Sequence, residues 1–282
     1  MDDEQKIQAL KEYFAKRADV VMAFLFGSRA KGYARSSSDW DIGVYFKLLS
    51  PRELELEESR DYPERSGIWG DVEKIVGAQV DLVALNSVAS PMVFSVLNSG
   101  IPLVMKDRLL YLRLLLKTHY EAVDFWRFTR EFWRIRERSH SLSSEDKSDL
   151  IKHIVFLENE LQDLSSFQGV TQEQYTHDRM MKRNIERWVE NLVMASLDIA
   201  KIILSSEKKN VPDSYRETLR SLGLHYFDES FAEQFADFAE LRNLVAHEYL
   251  DLRWKRILGF IPKAAELYPR FLERMKNFVE ES

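Results

Sequence analysis

Two short apolar runs, separated by a small-residue turn and a pair of carboxylates, constrain the fold of this chain more than any other feature. Residues 20–26 (VVMAFLF) are followed at once by Gly27-Ser28, and the second run begins directly after Asp39-x-Asp41. Runs of this length, rich in aliphatic and aromatic residues, predict buried strands. Because strand side chains two residues apart point to the same face, we expect Asp39 and Asp41 to converge.

Converging carboxylates indicate a cation site. Two carboxylates held side by side repel each other unless a cation lies between them. Oxygen ligands suit Mg²⁺ or Mn²⁺, which keep waters and substrate phosphates in their remaining positions. A third acid, Asp81, interrupts the apolar run 79–85, where a charge is costly unless it is paired or binds metal. If this strand lies beside the one after Asp41, two of the three carboxylates would hold metal. The third, Asp81, would align and deprotonate an attacking hydroxyl.

The turn after the first strand has the composition of a phosphate-binding segment. Gly27 lets the backbone approach a triphosphate closely, and Ser28 can donate from its hydroxyl and its amide. Arg29 and Arg35 follow within a few residues and could steady the outer phosphates. We therefore expect these four residues to bind the nucleotide.

The order Gly-Ser-x10-Asp-x-Asp, with a later strand aspartate, resembles the DNA polymerase β-type nucleotidyltransferase superfamily. The short format resembles its minimal nucleotidyltransferase (MNT) branch, and the likeness covers roughly residues 4–138. This resemblance implies transfer of a nucleotidyl group from a nucleoside triphosphate, usually ATP, to a hydroxyl, with release of pyrophosphate. It implies Mg²⁺ or Mn²⁺ as the cofactor, with Asp39, Asp41 and Asp81 as the metal-site carboxylates.

The sequence pattern changes after Arg108, beyond which no strand candidate appears. The preceding part predicts a small α/β unit with a helix over 4–17, two charged helices over 51–77 and a short strand at 102–105. The following part predicts a bundle of four to six helices. We assign an α+β fold with an α/β domain over residues 1–138 and an all-α domain over 139–282. The helices are expected at 108–138, 147–166, 173–205, 213–222, 229–247 and 253–279, with breaks at Gly169, Pro212, Gly223 and Pro262.

One polar motif stands out in the helical half. In a helix over residues 238–249, Arg242, Asn243, His247 and Tyr249 share one side. The arginine could offset charge on a phosphodiester, and the imidazole could act as acid or base near neutral pH. A helix end whose histidine and tyrosine pack on the next helix is the alternative.

The spacing Arg-x4-His-x-Tyr in a helical bundle resembles the HEPN superfamily, specifically the HepT-like ribonuclease toxins that are paired with MNT antitoxins. The likeness covers about residues 145–282. It implies that Arg242 and His247 are the nuclease pair and that Asn243 is auxiliary. Tyr249 would be the hydroxyl that the nucleotidyltransferase modifies with AMP. It further implies dimerisation through the helical domain and an RNA target, with tRNA and mRNA as candidates.

Together the two resemblances predict a single-chain toxin–antitoxin protein. Two alternatives remain open: an antibiotic-type nucleotidyltransferase acting on a small-molecule hydroxyl, with the helical half as a pocket or dimerisation module, and a non-enzymatic docking module.

The chain has no cysteine and its longest apolar run, 20–26, is too short to cross a bilayer, so we expect a cytoplasmic protein without a membrane partner. Up to Arg138 there are 21 basic and 21 acidic residues, so the net charge of −6 lies in the second half. That balance disfavours tight non-specific nucleic-acid binding and leaves room for a local basic pocket.

Overall fold

A computed structural model describes residues 2–35, 38–48, 54–57, 60, 62–138, 142–241 and 250–281, without the side chains of 250–253. The chain forms two compact units, Met1–Asp124 and Phe125–Ser282. The division falls inside one long helix over residues 108–138. The boundary expected after Arg138 adjoins residues 139–141, which lie outside the described part, and it stays a prediction.

The first unit contains the strands expected from the apolar runs, and the short strand at 102–105 is confirmed. Two helices were expected over 51–77, separated by Pro63 and Ser66-Gly67. One helix follows Pro63, and Ser66 and Gly67 lie inside it, so a helix break at Ser66-Gly67 is wrong. A glycine in an exposed helix costs only about 1 kcal/mol relative to alanine, which burial of the helix's apolar side readily offsets. The elements are α1 Asp3–Lys16, β1 Val20–Phe26, α2 Gly27–Ala30, β2 Trp40–Phe46, α3 Glu64–Val76, β3 Val80–Ala84, α4 Ser90–Ser99, β4 Ile101–Met105 and α5 Arg108–Arg138.

In the described part of this unit the four strands form one mixed sheet in the order β3-β2-β1-β4. β1 is antiparallel to both β2 and β4, whereas β2 and β3 are parallel. One face packs on α1 and α3 through residues such as Phe14, Ile42 and Val72. The other face packs on α4 and the beginning of α5, and Tyr45 of β2 belongs to it. Alternation along β2 puts Asp41, near the beginning of the strand, on the same face as Tyr45.

The secondary-structure elements described in the second unit are all helices, as the sequence predicted. Ser143 caps the beginning of α6, because its side chain accepts a hydrogen bond from the Asp146 N–H. The helices of this unit, after α5, include α6 Ser144–Gln162, α7 Leu164–Phe167, α8 Gln172–His177, α9 Arg179–Ser206, α10 Tyr215–Tyr226, α11 Glu229–Ala236 and α12 Leu250–Glu281. Residues 238–241 are also helical.

Several helix boundaries differ from those expected; for example, the helix predicted over 229–247 is interrupted at Asp237, after α11. The helix predicted over 173–205 breaks at Asp178, whose carboxylate caps α9 by accepting from the N–H groups of its first turn. Gly223 lies inside α10, where a Cβ would come within 2.6 Å of the Ala232 Cα, so this glycine allows close packing on α11. Pro262 lies inside α12, next to the buried side chain of Ile261. Packing of the neighbouring apolar residues offsets the hydrogen bond that this proline cannot make.

The core of the second unit surrounds α9, which is apolar and buried along most of its length. Phe125, Phe128 and Phe132 of α5 are buried in this core. The aromatic side chains of this arginine-rich part of α5 therefore contribute to packing. Within the described part of the chain, no helix has the length and apolar character needed to cross a membrane.

Candidate functional site

The strand register brings two of the three predicted carboxylates side by side. β2 and β3 run parallel, and Asp41 pairs directly with Asp81. The expectation that the third strand lies beside the second is confirmed. Asp39 immediately precedes β2, two residues before Asp41. Asp41 is partly buried, whereas Asp39 and Asp81 are exposed. The burial cost expected for Asp81 therefore does not arise, because β3 is at the edge of the sheet.

Electrostatics link all three carboxylates. Burial raises the pKa of Asp41, and the charges of Asp81 and then Asp39 raise it further, while Arg29 opposes the shift. The raised pKa means that the ionised form of Asp41 is disfavoured where it lies. A cation between these groups would remove that repulsion.

The donor set fits a divalent ion that is shared with a substrate. Among the described residues, no three histidine, cysteine or acidic side chains lie close enough together to enclose an ion by themselves. Mg²⁺ is usually bound by one or two carboxylates and completed by waters and substrate phosphates, so a protein cage is not required. Asp41, flanked by Asp39 and Asp81, provides such an open set of oxygen donors. Their roles as metal ligands stay predictions.

Gly27 lies directly against the Asp41 carboxylate. Its φ is +70°, and a Cβ at this position would stand 2.0 Å from the Asp41 Oδ2. Sequence reasoning assigned Gly27 to phosphate approach and missed this second requirement. A glycine is needed here because any side chain would displace the carboxylate that pairs with Asp81. Ser28 follows in α2 and is partly exposed.

Arg29 is enclosed by protein groups. Its Nε donates to the carbonyl oxygens of Ser38 and Asp39, each at 3.2 Å, and its Nη1 pairs with the Asp3 carboxylate at 2.8 Å. The guanidinium lies 4.7 Å from the centre of the Trp40 ring, and only 7% of the side chain is exposed. These contacts fix the segment that leads Asp39 into β2. Phosphate binding by Arg29 stays a prediction, and the contacts seen are those of a positioning residue.

Arg35 is exposed, in contrast to Arg29. Its backbone closes a tight turn with Ser38: the Arg35 N–H donates to the Ser38 hydroxyl, and the Ser38 N–H donates to the Arg35 carbonyl, both at 3.0 Å. The turn holds the start of the Asp39-x-Asp41 segment while leaving the Arg35 guanidinium in solvent. Its predicted role in holding phosphates is compatible with this position.

Gly27→Ala is expected to destabilise the fold by about 1–3 kcal/mol, because it adds backbone strain at positive φ and a clash with Asp41. Thermal unfolding measures the effect. Gly70→Ala is the matched control: Gly70 lies inside α3 and a Cβ there meets nothing within 4 Å. That change should stabilise the protein by about 0.5–1 kcal/mol. Equal stability of the Gly27→Ala chain and its parent would contradict the close contact.

The polar motif of the helical half lies outside the described residues. Arg242, Asn243, His247 and Tyr249 all fall within 242–249, so their arrangement and roles stay predictions. The structure describes the residues on either side of the motif. Leu241, directly before the motif, is buried, and α12 begins at Leu250, directly after the motif.

Two family models match the chain, one in each half. The polymerase beta nucleotidyltransferase model matches residues 8–109, and the ribonuclease HepT-like model matches residues 157–275. A curated relative, tRNA nuclease HepT of Aphanizomenon flos-aquae (strain 2012/KM1/D3), is 25% identical over 120 residues, which is 42% of this chain and 82% of the relative.

Solved structures with similarity to the chain include two toxin–antitoxin structures. A crystal structure of a toxin-antitoxin with AMP-PNP is 21% identical with a TM-score of 0.33, and a mutant of the toxin-antitoxin MntA-HpeT is 19% identical with a TM-score of 0.34. Each match covers 46% of this chain and 91% of the other. Likeness at this level does not by itself support a functional assignment.

Proposed function

Because the chain joins a polymerase β-type nucleotidyltransferase region to a HepT-like ribonuclease region, we propose that it is a toxin–antitoxin pair in one chain. In this proposal the first region transfers AMP from Mg-ATP to a tyrosine hydroxyl of the second region and thereby inhibits its ribonuclease. The pairing of Asp41 with Asp81 against Gly27, inside the segment that matches the nucleotidyltransferase family, is the observation that carries the proposal.

In the proposed transfer of AMP, the three carboxylates and the Gly27-Ser28 turn have different roles. Asp39 and Asp41 would hold the divalent ion, Mg²⁺ or Mn²⁺, which offsets the charge of the triphosphate oxygens. Asp81, exposed beside Asp41, aligns the acceptor hydroxyl and takes its proton. The hydroxyl oxygen then forms a bond to the α-phosphorus of ATP, and the bond from that phosphorus to pyrophosphate breaks. Gly27 and Ser28 present backbone and hydroxyl groups to the phosphates, and Arg35 is placed in solvent to pair with them.

Tyr249 is the proposed acceptor. AMP on its hydroxyl would place a negatively charged phosphate two residues from His247 and seven residues from Arg242. The added phosphate would pair with the arginine and repel the phosphates of incoming RNA, so the modified motif would be closed to substrate. Covalent joining of the two regions raises their effective concentration, which makes inhibition the resting state.

The helical region would cleave RNA when it is unmodified. Arg242 would offset charge on the scissile phosphate, His247 would move the proton, and Asn243 would assist. The relative described as a tRNA nuclease favours tRNA as the target class, and a homodimer through this region would bring two motifs together. A reaction that consumes ATP fits the cytoplasmic location expected from the cysteine-free sequence.

Tyr249→Phe is expected to abolish the AMP label that the parent chain acquires from Mg-ATP, because the phenyl ring has no hydroxyl to attack phosphorus. Transfer of α-phosphate radiolabel to the chain, followed by peptide mass spectrometry, measures the effect. Tyr226→Phe is the control, since Tyr226 donates to Glu207 on the same unit and lies outside the motif. Persistent labelling of the Tyr249→Phe chain would reject Tyr249 as the acceptor.

The small-molecule alternative predicts a different product. An antibiotic-type nucleotidyltransferase would leave its own mass unchanged and adenylylate an added aminoalcohol. Mass spectra of the protein and of the added compound, taken from the same reaction, separate the two functions.

A further inference from the structure

The solvent face of the first turns of α9 carries a stripe of cations. Arg179, Lys182 and Arg183 stand at positions i, i+3 and i+4, which places them on one side of the helix. Ile185 and Trp188 occupy the opposite side and are buried in the core. Arg179 and Arg183 are exposed, and Lys182 is partly exposed. We call these three residues the α9 stripe.

Two carboxylates near the stripe accept hydrogen bonds from groups outside it. The Asp178 carboxylate accepts from the N–H groups of Met180 and Met181, and Glu186 accepts from the Tyr175 hydroxyl at 2.6 Å. Over the residues that the structure describes, no member of the α9 stripe forms an ion pair. Many other cations of the same unit are paired, including Lys201, Arg216, Arg220, Arg270 and Lys276. The three cations of the stripe therefore lack a salt-bridge partner within the described part of the chain.

A shallow depression lies beside the stripe. An open hollow of about 550 Å³ lies at the corner between α8 and α9, lined by Glu173, Gln174, His177, Asp178, Arg179 and Met180. Arg179 belongs both to the stripe and to the wall of the hollow. Glu173 and Asp178 place two carboxylates in this wall, so a chain of phosphates would meet positive charge along the stripe itself, from Arg179 to Arg183, over about one turn of α9.

Ring contacts connect the stripe to the flank of the proposed nuclease motif. Lys182 Nζ lies 5.8 Å from the centre of the Tyr175 ring, and Trp254 of α12 contacts the same ring at 5.0 Å between centres. α12 begins at Leu250, the residue after Tyr249, so Trp254 is only about 6 Å along the helix from its first residue. The α9 stripe is thus joined through two aromatic rings to the helix that leaves the motif.

We infer that the α9 stripe is the RNA-backbone-binding surface of the helical unit and guides phosphates towards the motif at 242–249. This inference rests on the proposed ribonuclease function and names where its substrate is held. The second half of the chain is acidic overall, so long-range attraction to RNA is weak and a local cationic surface must supply the binding. Contacts of this kind are to phosphates, which predicts salt-sensitive affinity with little sequence preference.

The test compares two full-length proteins: a variant that carries Lys182→Gln and Arg183→Gln, and a reference protein in which the stripe is unchanged. Both proteins carry His247→Ala and Tyr249→Phe, so that RNA is not cleaved and AMP does not cover the motif. Binding of a fluorescent single-stranded RNA oligonucleotide is measured by anisotropy over a series of KCl concentrations. Loss of two phosphate contacts should make the slope of log K against log[KCl] shallower by about 1.4 and lower the affinity roughly tenfold or more near 0.1 M salt.

Lys208→Gln/Lys209→Gln is the matched control. It also removes two positive charges, but at the far end of α9, about 40 Å from the stripe for a helix of 28 residues. This control should retain the affinity and the salt slope, and both double variants should retain the melting temperature. An unchanged slope in the stripe variant, equal losses in both variants, or no RNA binding by the reference protein would each overturn the inference.

Self-labelling separates failure of this inference from failure of the proposed function. In an otherwise unsubstituted chain, Lys182→Gln/Arg183→Gln should acquire AMP from Mg-ATP at the parent rate, because neither residue lies in the nucleotidyltransferase region. Normal labelling together with unchanged RNA binding would reject the stripe and leave the transferase assignment standing.

Discussion

The Asp41→Asn chain is expected to label itself with AMP about a thousandfold more slowly than its parent, because a metal-site carboxylate supports several kcal/mol of transition-state stabilisation. An amide keeps the shape of the side chain beside Gly27 and Asp81 but supplies no negative charge to the ion. Initial rates of label transfer from Mg-ATP measure the loss. Glu73→Gln, which removes a carboxylate from α3, is the control and should label at the parent rate.

The same substitution should not weaken the fold. Asp41 is partly buried between the charges of Asp39 and Asp81, which raise its pKa together with burial. A neutral amide removes this repulsion, so the metal-free Asp41→Asn protein should melt at the parent temperature or above it. Mg²⁺ should raise the melting temperature of the parent more than that of the variant, since a ligand stabilises only a protein that binds it. A variant that unfolds at lower temperature, or that keeps the parent labelling rate, would contradict the assigned role of Asp41.

The second large effect is expected in RNA cleavage. A chain carrying Asp41→Asn should modify Tyr249 too slowly to accumulate AMP and should therefore have an open nuclease motif. Adding His247→Ala to that chain should lower the cleavage rate by about 10²–10⁴, the range that a general acid or base contributes. Gel analysis of tRNA and mRNA fragments measures the difference.

His225→Ala is the control for this experiment. His225 lies on α10, 3.3 Å from the Glu207 carboxylate, and it belongs to no predicted site. Its loss should leave cleavage unchanged. Cleavage that survives His247→Ala would exclude the HEPN mechanism. A chain with Asp41→Asn that cleaves no RNA would instead support the docking-module alternative.

The sequence predicted the nucleotidyltransferase-like unit well because its signals are short-ranged. Apolar runs bounded by glycine, serine and aspartate define the strands, and the two-residue period puts Asp39 and Asp41 on one face. Placement of Asp81 beside Asp41 needed only the assumption that the third strand pairs with the second, which the register confirms.

The partners of Arg29 and the full reason for Gly27 could not be predicted in this way. Arg29 contacts Asp3 across 26 positions and Gly27 meets Asp41 through packing, and neither contact leaves a local pattern. The sequence pointed to the contact between Arg29 and the Trp40 ring only weakly, by placing an arginine after the glycine-serine turn and a tryptophan between the two aspartates. Pairwise contacts of this kind depend on how the strands assemble.

In the helical half, periodicity predicted the helices and failed at several of their ends. Asp178 separates α8 from α9 because its carboxylate accepts hydrogen bonds from the first N–H groups of α9. Pro262 does not end α12, because the packing of neighbouring apolar residues stabilises the helix around it. The sequence alone does not show whether local capping or tertiary packing prevails at a given residue. The motif at 242–249 lies outside the described residues, so its geometry rests on the sequence pattern.

The most direct measurement for the central claim is the intact mass of the purified chain before and after incubation with Mg-ATP. Self-modification predicts that the mass rises by one AMP group or a whole multiple of it, and that omitting the divalent ion prevents the rise. An unchanged mass in a folded, initially unmodified chain that binds Mg-ATP would contradict the account.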